Sequence, residues 1–219
     1  MRHRLAVSIG FLAVVAFAGA PALSARAPSP IKLPPPVTEG GKPLMQALKT
    51  RRSSREFSSQ RLPEQVLSNL LWAAWGINRP DGRRTAPSAS NRQEIEIYVT
   101  LPEAAYRWDA KTNVLEPVAA GDLRGATGSQ PFPAAAALNL VYVADMTKAG
   151  RPATDPQQML NIGADTGFIA ENVYLFCASE GLATVVRAQV PKDKLAKALQ
   201  LRDTQLIVLA QTVGYPASR

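Results

Sequence analysis

Hydrophobic and polar residues follow two different spacings along this chain, and each spacing predicts one type of secondary structure. From Glu94 to Thr100 the two kinds alternate strictly, with Ile95, Ile97 and Val99 on one side, which predicts a strand that buries one face. Further apolar stretches, and a hairpin around the polar turn at 109–113, complete the predicted strands at 106–118, 138–144, 182–186 and 205–213.

Apolar residues three or four positions apart predict four helices, at 44–51, 63–75, 156–180 and 191–199. The third of these is rich in small residues, among them Gly163 and Gly167, which let a second helix approach closely. Helices and strands do not alternate regularly along the chain. We therefore predict an α+β fold, with a mostly antiparallel central sheet flanked by helices.

Residues 1–24 have the composition of a secretory signal peptide. Arg2 and Arg4 precede an apolar run from Leu5 to Ala18, and small residues follow it. The run is short for a membrane span, so we expect cleavage, a secreted or periplasmic mature protein, and no stable membrane insertion afterwards. Residues 25–42 then form a proline-rich extended arm, and residues 43–219 form a single domain.

Positive charge exceeds negative charge, with a formal net charge of +8 for the whole chain. This excess suits an anionic ligand or surface. The chain has no long basic block and no interleaving of basic and aromatic residues, so nucleic acid is not an expected partner.

Several kinds of chemistry are excluded by composition. The one histidine, His3, lies in the predicted signal peptide, so the mature chain has no imidazole for a Ser-His-Asp or Cys-His site, and a histidine-ligated metal is not expected. The one cysteine, Cys177, cannot form an intramolecular disulfide and is expected to be a buried structural thiol. Reactivity must therefore come from carboxylates, lysines or a bound cofactor.

The segment from Thr50 to Phe57 concentrates guanidinium and hydroxyl groups directly after the first predicted helix. Arginine forks and serine hydroxyls are typical ligands of a phosphate, and the candidates are Arg51, Arg52, Ser53 and Arg55. The dipole of a helix also attracts cations to its C-terminus, so a solvated helix end is the alternative interpretation.

A second polar segment, from Ala86 to Gln93, leads into the alternating strand. Asparagine and glutamine amides carry paired donors and acceptors that match the edge of a uracil-like ring. An ordinary polar loop is the alternative. The candidate ligands in this segment are Pro87, Ser88, Ala89, Asn91 and Gln93.

The glutamates that follow the segment could be considered as a glycosidase pair. Glu94, Glu96 and Glu103 are instead expected to be solvated charges.

Several short motifs, taken in their order and spacing, resemble the nitroreductase family of flavin mononucleotide (FMN) enzymes from about Leu33 to the C-terminus. Within that family the chain is most similar to the oxidases that turn azolines into azoles in thiazole/oxazole-modified peptide pathways. The motifs are Leu33-Pro34, Arg51 to Phe57, Arg84 to Ala89, Tyr106 to Asp109, Gly121 to Arg124 with Gln130, Asp165 to Gly167 with Glu171 and Asn172, Gly181 to Ala188, and Gly214 to Pro216.

The resemblance implies a homodimer with two FMN molecules at its interface, and the 156–180 helix as the dimer helix. It implies that Arg51 and Ser53 hold the phosphate and ribityl end, and that Arg55 lies towards the pyrimidine ring. Arg219 would close on the phosphate. The flavin itself would carry the chemistry, so no side chain is expected to be catalytic.

At the ring end, the resemblance implies that Asn91 bonds the ring edge while Gln93 supports the loop. Ala188 and Gln189 would offer backbone N–H groups near N5 and O4 of the flavin. The implied activity is hydride or electron transfer through N5 to or from an unidentified small organic substrate. An exported member would also need an unknown electron donor, because nicotinamide donors are not expected to be abundant outside the cytoplasm.

Two alternatives to such an oxidoreductase remain at this point. The first is a non-catalytic exported flavin-binding protein of the same fold. The second is an exported anion-binding or peptide-binding module that holds no flavin and uses its arginines to meet acidic surfaces.

Overall fold

A seven-stranded sheet runs through residues 27–217, the part of the chain that the computed structural model describes. The strands are β1 (Ile31–Lys32), β2 (Ile95–Thr100), β3 (Ala104–Asp109), β4 (Val114–Ala120), β5 (Leu138–Asp145), β6 (Ala183–Arg187) and β7 (Gln205–Gly214). Their order across the sheet is β1-β4-β3-β2-β5-β7-β6, and every neighbouring pair is antiparallel. The predicted fold class is confirmed.

Six helices connect or cover these strands in the described residues. They are α1 (Leu44–Thr50), α2 (Glu64–Trp75), α3 (Phe132–Ala135), α4 (Met146–Ala149), α5 (Pro156–Glu180) and α6 (Lys192–Ala198). The four helices predicted from spacing correspond to α1, α2, α5 and α6. No helix of residues 27–217 combines the length and apolarity that crossing a membrane requires. The predicted signal peptide and Arg219 lie outside the described residues.

The ends of α5 follow from local chemistry. The Asp155 side chain accepts hydrogen bonds from the backbone N–H groups of Gln157 and Gln158, and Pro156 occupies the first turn, where no N–H is needed. Gly181 ends the helix in a left-handed conformation, with φ of 72°. The predicted bounds of 156–180 are therefore confirmed.

The sheet lies between two layers and is covered on both faces. On one face, Ile97 and Tyr142 pack with residues of α2 and α5 such as Leu70. On the other face, Tyr98 packs with Leu195 of α6. The prediction that β2 buries a single face is wrong, because the strand is central in the sheet and its alternate residues meet the second layer instead of solvent.

The proline-rich arm of residues 25–42 is extended where it is described, and it joins the sheet. Ile31 and Lys32 pair with Leu115 and Val114 of β4. Leu33 is 1% exposed and belongs to the main hydrophobic core. The arm is therefore an integral edge of the domain rather than a separate segment.

An apolar surface remains uncovered on α1 and α5, which pack against each other. We call it the α1/α5 surface. Added Cβ atoms at Gly163 and Gly167 of α5 would meet open space. Its large exposed side chains are Leu44, Met45 and Leu48 of α1, and Met159, Leu160 and Phe168 of α5. Exposed patches of this kind on a folded domain mark interaction sites.

Candidate functional site

A cavity of about 490 Å³ opens where α1 ends, between that helix, α5 and β6. We call it the cationic cavity, because four of its lining side chains are positively charged and, within residues 27–217, no lining residue is a carboxylate. The polar lining residues are Lys42, which precedes α1, and, at the end of that helix, Lys49, Thr50, Arg51, Arg52 and Ser54. This donor set suits a phosphate, which accepts several charge-assisted hydrogen bonds.

Tyr174 of α5 organises the wall of the cationic cavity. The guanidinium carbon of Arg51 lies 5.2 Å from the centre of the Tyr174 ring. The Ser53 hydroxyl lies 2.8 Å from the Tyr174 hydroxyl, which also accepts the N–H of Val186 at 3.0 Å. A buried tyrosine thus holds two of the predicted phosphate ligands in fixed positions.

The chain after α1 is anchored to the sheet, because the Ser54 N–H donates to the carbonyl of Thr184 at 2.9 Å. Arg52 is exposed and lines the cationic cavity. Arg55 is also exposed but is not part of the lining. The cluster is therefore not a freely solvated helix end, because the four consecutive residues 51–54 either line the cavity or contact Tyr174.

The second predicted segment is a strained loop held by its own side chains. Asn91 and Gln93 both have positive φ, near 50°. The Gln93 amide donates to the Gly82 carbonyl at 3.1 Å and to Asn91 Oδ1 at 3.0 Å, and it accepts from Arg84 at 2.8 Å. These bonds match the supporting role expected for Gln93. Pro87, Ser88 and Asn91 line a separate, smaller cleft.

Two buried carboxylates lie beneath this loop. The Ala89 N–H donates to Asp165 Oδ2 at 2.9 Å, so this N–H is already engaged. Glu94 is 1% exposed, and neither of its carboxylate oxygens has a donor within the described residues. Burial, together with the facing Asp165, raises the pKa of Glu94 to about 7. The expectation that Glu94 is a solvated charge is therefore wrong.

The two predicted parts of the site do not meet within one chain. The arginine-serine cluster contacts α5 at Tyr174, and the Pro87–Gln93 loop contacts it at Asp165. Tyr174 lies nine positions beyond Asp165 on α5, which corresponds to about 14 Å along the helix axis. A ligand that uses both parts must therefore span this distance or draw one part from a second chain.

Ala188 and Gln189 are exposed and follow directly after β6. Arg187, which precedes them, is 8% exposed and donates to the Thr127 carbonyl at 2.6 Å and to Asn139 Oδ1 at 3.1 Å. Burial lowers the pKa of this guanidinium to about 10. The hydrogen bonds of Arg187 fix the position of the end of β6 and of the adjoining backbone at Ala188.

Several residues of the cationic cavity were not predicted from the sequence. Lys42 and Lys49 come from the approach to α1 and from its last turn, and Tyr174 comes from a helix far along the chain. The two lysines were detectable as cations near the predicted cluster. Nothing in the pattern around Tyr174 separates it from the other large residues of its helix, because only the packing of α5 brings it to Ser53.

Comparisons with known proteins agree with this geometry. A model of the nitroreductase family matches residues 48–215. A protein of Methanocaldococcus jannaschii that bears the name nitroreductase is 28% identical over 169 residues, which cover 73% of this chain and 85% of that protein. A structure described as a nitroreductase from Ralstonia eutropha is 42% identical, covers 88% of this chain and 91% of that one, and superposes with a TM-score of 0.82.

More distant solved structures share the fold alone. The NADPH:FMN oxidoreductase of Vibrio harveyi is 18% identical, with coverage of 80% and 69% and a TM-score of 0.60. The E. coli microcin synthetase McbBCD complex is 20% identical, with coverage of 78% and 73% and a TM-score of 0.65. The model of the nitroreductase family matches more than half of the residues of this chain, so the chain belongs to the nitroreductase family.

Proposed function

We propose that this protein is an FMN-dependent oxidoreductase that acts as a homodimer on a small organic substrate. The observation that carries the proposal is the cationic cavity, an opening of about 490 Å³ that is lined by four positive side chains and by no carboxylate among the described residues. Membership of the nitroreductase family and the fold shared with an FMN oxidoreductase support the choice of cofactor.

The residues around the cavity fit the phosphate end of FMN. Arg51, Arg52 and Lys49 line the cavity and would neutralise the phosphate charge. Ser53 is not a lining residue but lies between Arg52 and Ser54, and its hydroxyl, held by Tyr174, would donate to an oxygen at the phosphate and ribityl end. Tyr174 contacts both Arg51 and Ser53 and positions them beside the cavity. Arg219, which follows the last described residues, is proposed as a further cation near the phosphate.

The ring end of the site is proposed to come from the partner protomer. The two contact points on α5, Asp165 and Tyr174, are symmetric about residues 169–170. Antiparallel pairing of two α5 helices about a two-fold axis there would bring the loop of one protomer beside the arginine-serine cluster of the other. The exposed α1/α5 surface is the apolar area that such a dimer would bury.

When bound, FMN supplies hydride or electron transfer through its N5 atom. The protein's contribution is placement and charge. Ala188 and Gln189 offer backbone N–H groups at the ring, and the buried Arg187 fixes their position. Arg55 places positive charge towards the pyrimidine end, and Asn91 meets the ring edge.

The direction of transfer, the cell compartment and the electron donor complete the proposal. We propose export through the signal at residues 1–24 and a substrate oxidised in the manner of an azoline ring, on the strength of the motif order. The substrate is then itself the hydride donor in place of a nicotinamide, and molecular oxygen is the proposed acceptor of the two electrons from the reduced flavin. N-terminal sequencing of the protein from culture fractions tests export. Incubation with a thiazoline-containing peptide, followed by mass spectrometry for the loss of two hydrogen atoms, tests azoline oxidation.

The central test is the visible spectrum of the purified protein and its titration with FMN. We expect bound flavin, and we expect the double variant Arg51→Ala/Ser53→Ala to weaken FMN binding at least about tenfold, because each lost charge-assisted bond contributes about 1.5–3 kcal/mol. Tyr174→Phe should weaken binding less, since it removes only the hydroxyl that holds Ser53.

Arg61→Ala is the matched control, because Arg61 is an exposed arginine that pairs with Glu103 and does not line the cationic cavity. It should leave FMN affinity unchanged. Folded wild-type protein that stays colourless with added FMN, or equal affinity in the Arg51→Ala/Ser53→Ala and Arg61→Ala variants, would contradict the proposal.

A further inference from the structure

A second cleft, of about 210 Å³, lies beside the loop that carries Pro87 and Asn91. Its other wall is the segment Ile77–Arg84, which joins α2 to the loop and which we call the arginine hairpin. Three guanidiniums from this hairpin line the cleft, those of Arg79, Arg83 and Arg84. The cleft is separate from the cationic cavity and shares no lining residue with it.

The arginine hairpin is an ordered element. Ile77 and Arg84 form an antiparallel bridge, and the Asn78 N–H donates to the Arg83 carbonyl at 3.1 Å. Gly82 turns the chain with φ of 80°, a conformation that favours glycine. The side chains of the hairpin therefore project from a fixed backbone.

The hairpin is also tied to the loop across the cleft. The Gln93 amide donates to the Gly82 carbonyl at 3.1 Å, and Arg84 donates to Gln93 Oε1 at 2.8 Å and to the Trp75 carbonyl at 2.7 Å. Arg84 also lies over the Trp75 ring, with its guanidinium carbon 4.9 Å from the ring centre. Both walls of the cleft are thus held at a fixed separation.

Positive charge in the cleft is poorly compensated. Asp81 pairs with Arg83 at 3.4 Å, but both side chains are more than half exposed, so the pair is weak. In the described part of the chain, neither Arg79 nor Arg84 forms an ion pair with a carboxylate. Arginine forks held in this way are suited to the oxygens of a carboxylate or a phosphate.

We propose that this cleft binds the anionic group of the substrate, a carboxylate or a phosphate, and thereby selects acidic substrates for the reaction. The inference rests on the proposed function, because Pro87, Ser88 and Asn91 line the cleft and belong to the proposed ring end of the flavin site. An anion held by Arg79 and Arg83 therefore lies beside the place where the substrate meets the flavin.

The test compares ligands of equal shape and different charge. Calorimetric titration measures the affinity of each ligand. The affinities of 4-nitrobenzoate and its neutral analogue 4-nitrobenzamide are compared to test for a carboxylate site. The affinities of 4-nitrobenzyl phosphate and 4-nitrobenzyl alcohol are compared to test for a phosphate site. We expect at least one anion to bind about tenfold more tightly than its neutral analogue, with a preference that shrinks as salt is added. No preference in either pair would overturn the inference.

The double variant Arg79→Ala/Arg83→Ala should abolish the preference and leave affinity for the neutral analogue unchanged. Arg84 is left intact because it holds Gln93 and the end of α2. The control is Arg61→Ala/Lys194→Ala, which removes equal charge from positions that do not border the cleft. Equal loss of preference in both double variants would show a general charge effect and refute a specific site.

A final arm separates this inference from the proposed function. In the Arg51→Ala/Ser53→Ala background, which weakens the cationic cavity, inorganic phosphate is titrated into protein without flavin. If phosphate still binds to this double variant, and no longer binds after Arg79 and Arg83 are also replaced by alanine, the cleft is supported as an anion site even if FMN never binds. Phosphate binding that is insensitive to Arg79 and Arg83 counts against the cleft, whatever the flavin result.

Discussion

The buried carboxyl pair beneath the Pro87–Gln93 loop makes the stability of this protein depend on pH in a predictable direction. Glu94 faces Asp165 of α5, and the charge of Arg92 opposes only part of the resulting rise in the pKa of Glu94. Two carboxylates can share a hydrogen bond only if a proton lies between them. Glu94 therefore keeps its proton in the folded state at a pH where the unfolded chain has released it.

The magnitude follows from the change in pKa. The pKa of Glu94 rises from an ordinary value of 4.5 to about 7, chiefly because burial penalises the charged form. A group with a raised folded-state pKa contributes its stability fully below the unfolded pKa and loses it as pH rises through the folded pKa. The free energy of unfolding should thus fall by about 3 kcal/mol between about pH 4.5 and pH 7, at about 1.4 kcal/mol per pH unit.

Glu94→Gln isolates this effect. The amide cannot titrate and donates to Asp165 at every pH, so the variant should lack the fall and be more stable than the wild type above pH 7. Urea unfolding followed by tryptophan fluorescence from pH 4.5 to 8.5 measures the difference. Glu39→Gln, at an exposed glutamate, is the control and should follow the wild-type curve. Parallel pH curves for wild type and Glu94→Gln would refute the reasoning.

Three further predictions concern other parts of the molecule. Burial raises the pKa of the Cys177 thiol, so a thiol reagent at pH 8 should label it only in the unfolded protein, and labelling of the native state would contradict its buried position. Gly167→Leu adds bulk where a Cβ has free space, so it should leave folding intact but shift the proposed dimer towards monomer in analytical ultracentrifugation, whereas Lys194→Leu on α6 should not. Gly128→Ala would place a Cβ against the Arg187 guanidinium and should cost about 1–3 kcal/mol in urea unfolding, an expectation that an unchanged midpoint would disprove.

Much of the fold was predictable because it follows from local chemistry. Pro156 and Gly181 mark the ends of the long helix, and Asp109 begins the turn of the β3–β4 hairpin. The spacing of apolar residues in β2 and α2 identified core side chains such as Ile97 and Leu70. These signals act within a few residues of each other, so they are visible in the sequence itself.

The candidate site was predictable only in part. A run of arginines and serines is typical of a phosphate site, so Arg51 and Ser53 could be proposed as phosphate ligands without a structure. Extending the alternation of β2 back to Glu94, by contrast, assigned this residue to solvent. Glu94 precedes the strand and follows Gln93, which has a positive φ, so the alternation does not apply to it and its side chain faces Asp165 of α5. In the folded protein Glu94 is buried and Asp165 of α5 lies beside it, and both effects raise the pKa of Glu94.

Most helices and strands, the concentration of arginine and serine after α1 and the absence of a histidine from residues 27–217 can be read from the chain alone, since each depends on residue identity and short-range spacing. The contact of Tyr174 with Ser53, the burial of Glu94 against Asp165 and the cleft shared by three arginines arise only from folding in three dimensions. Such juxtapositions join residues far apart in the chain, and their energies depend on burial and distance, which no local pattern encodes.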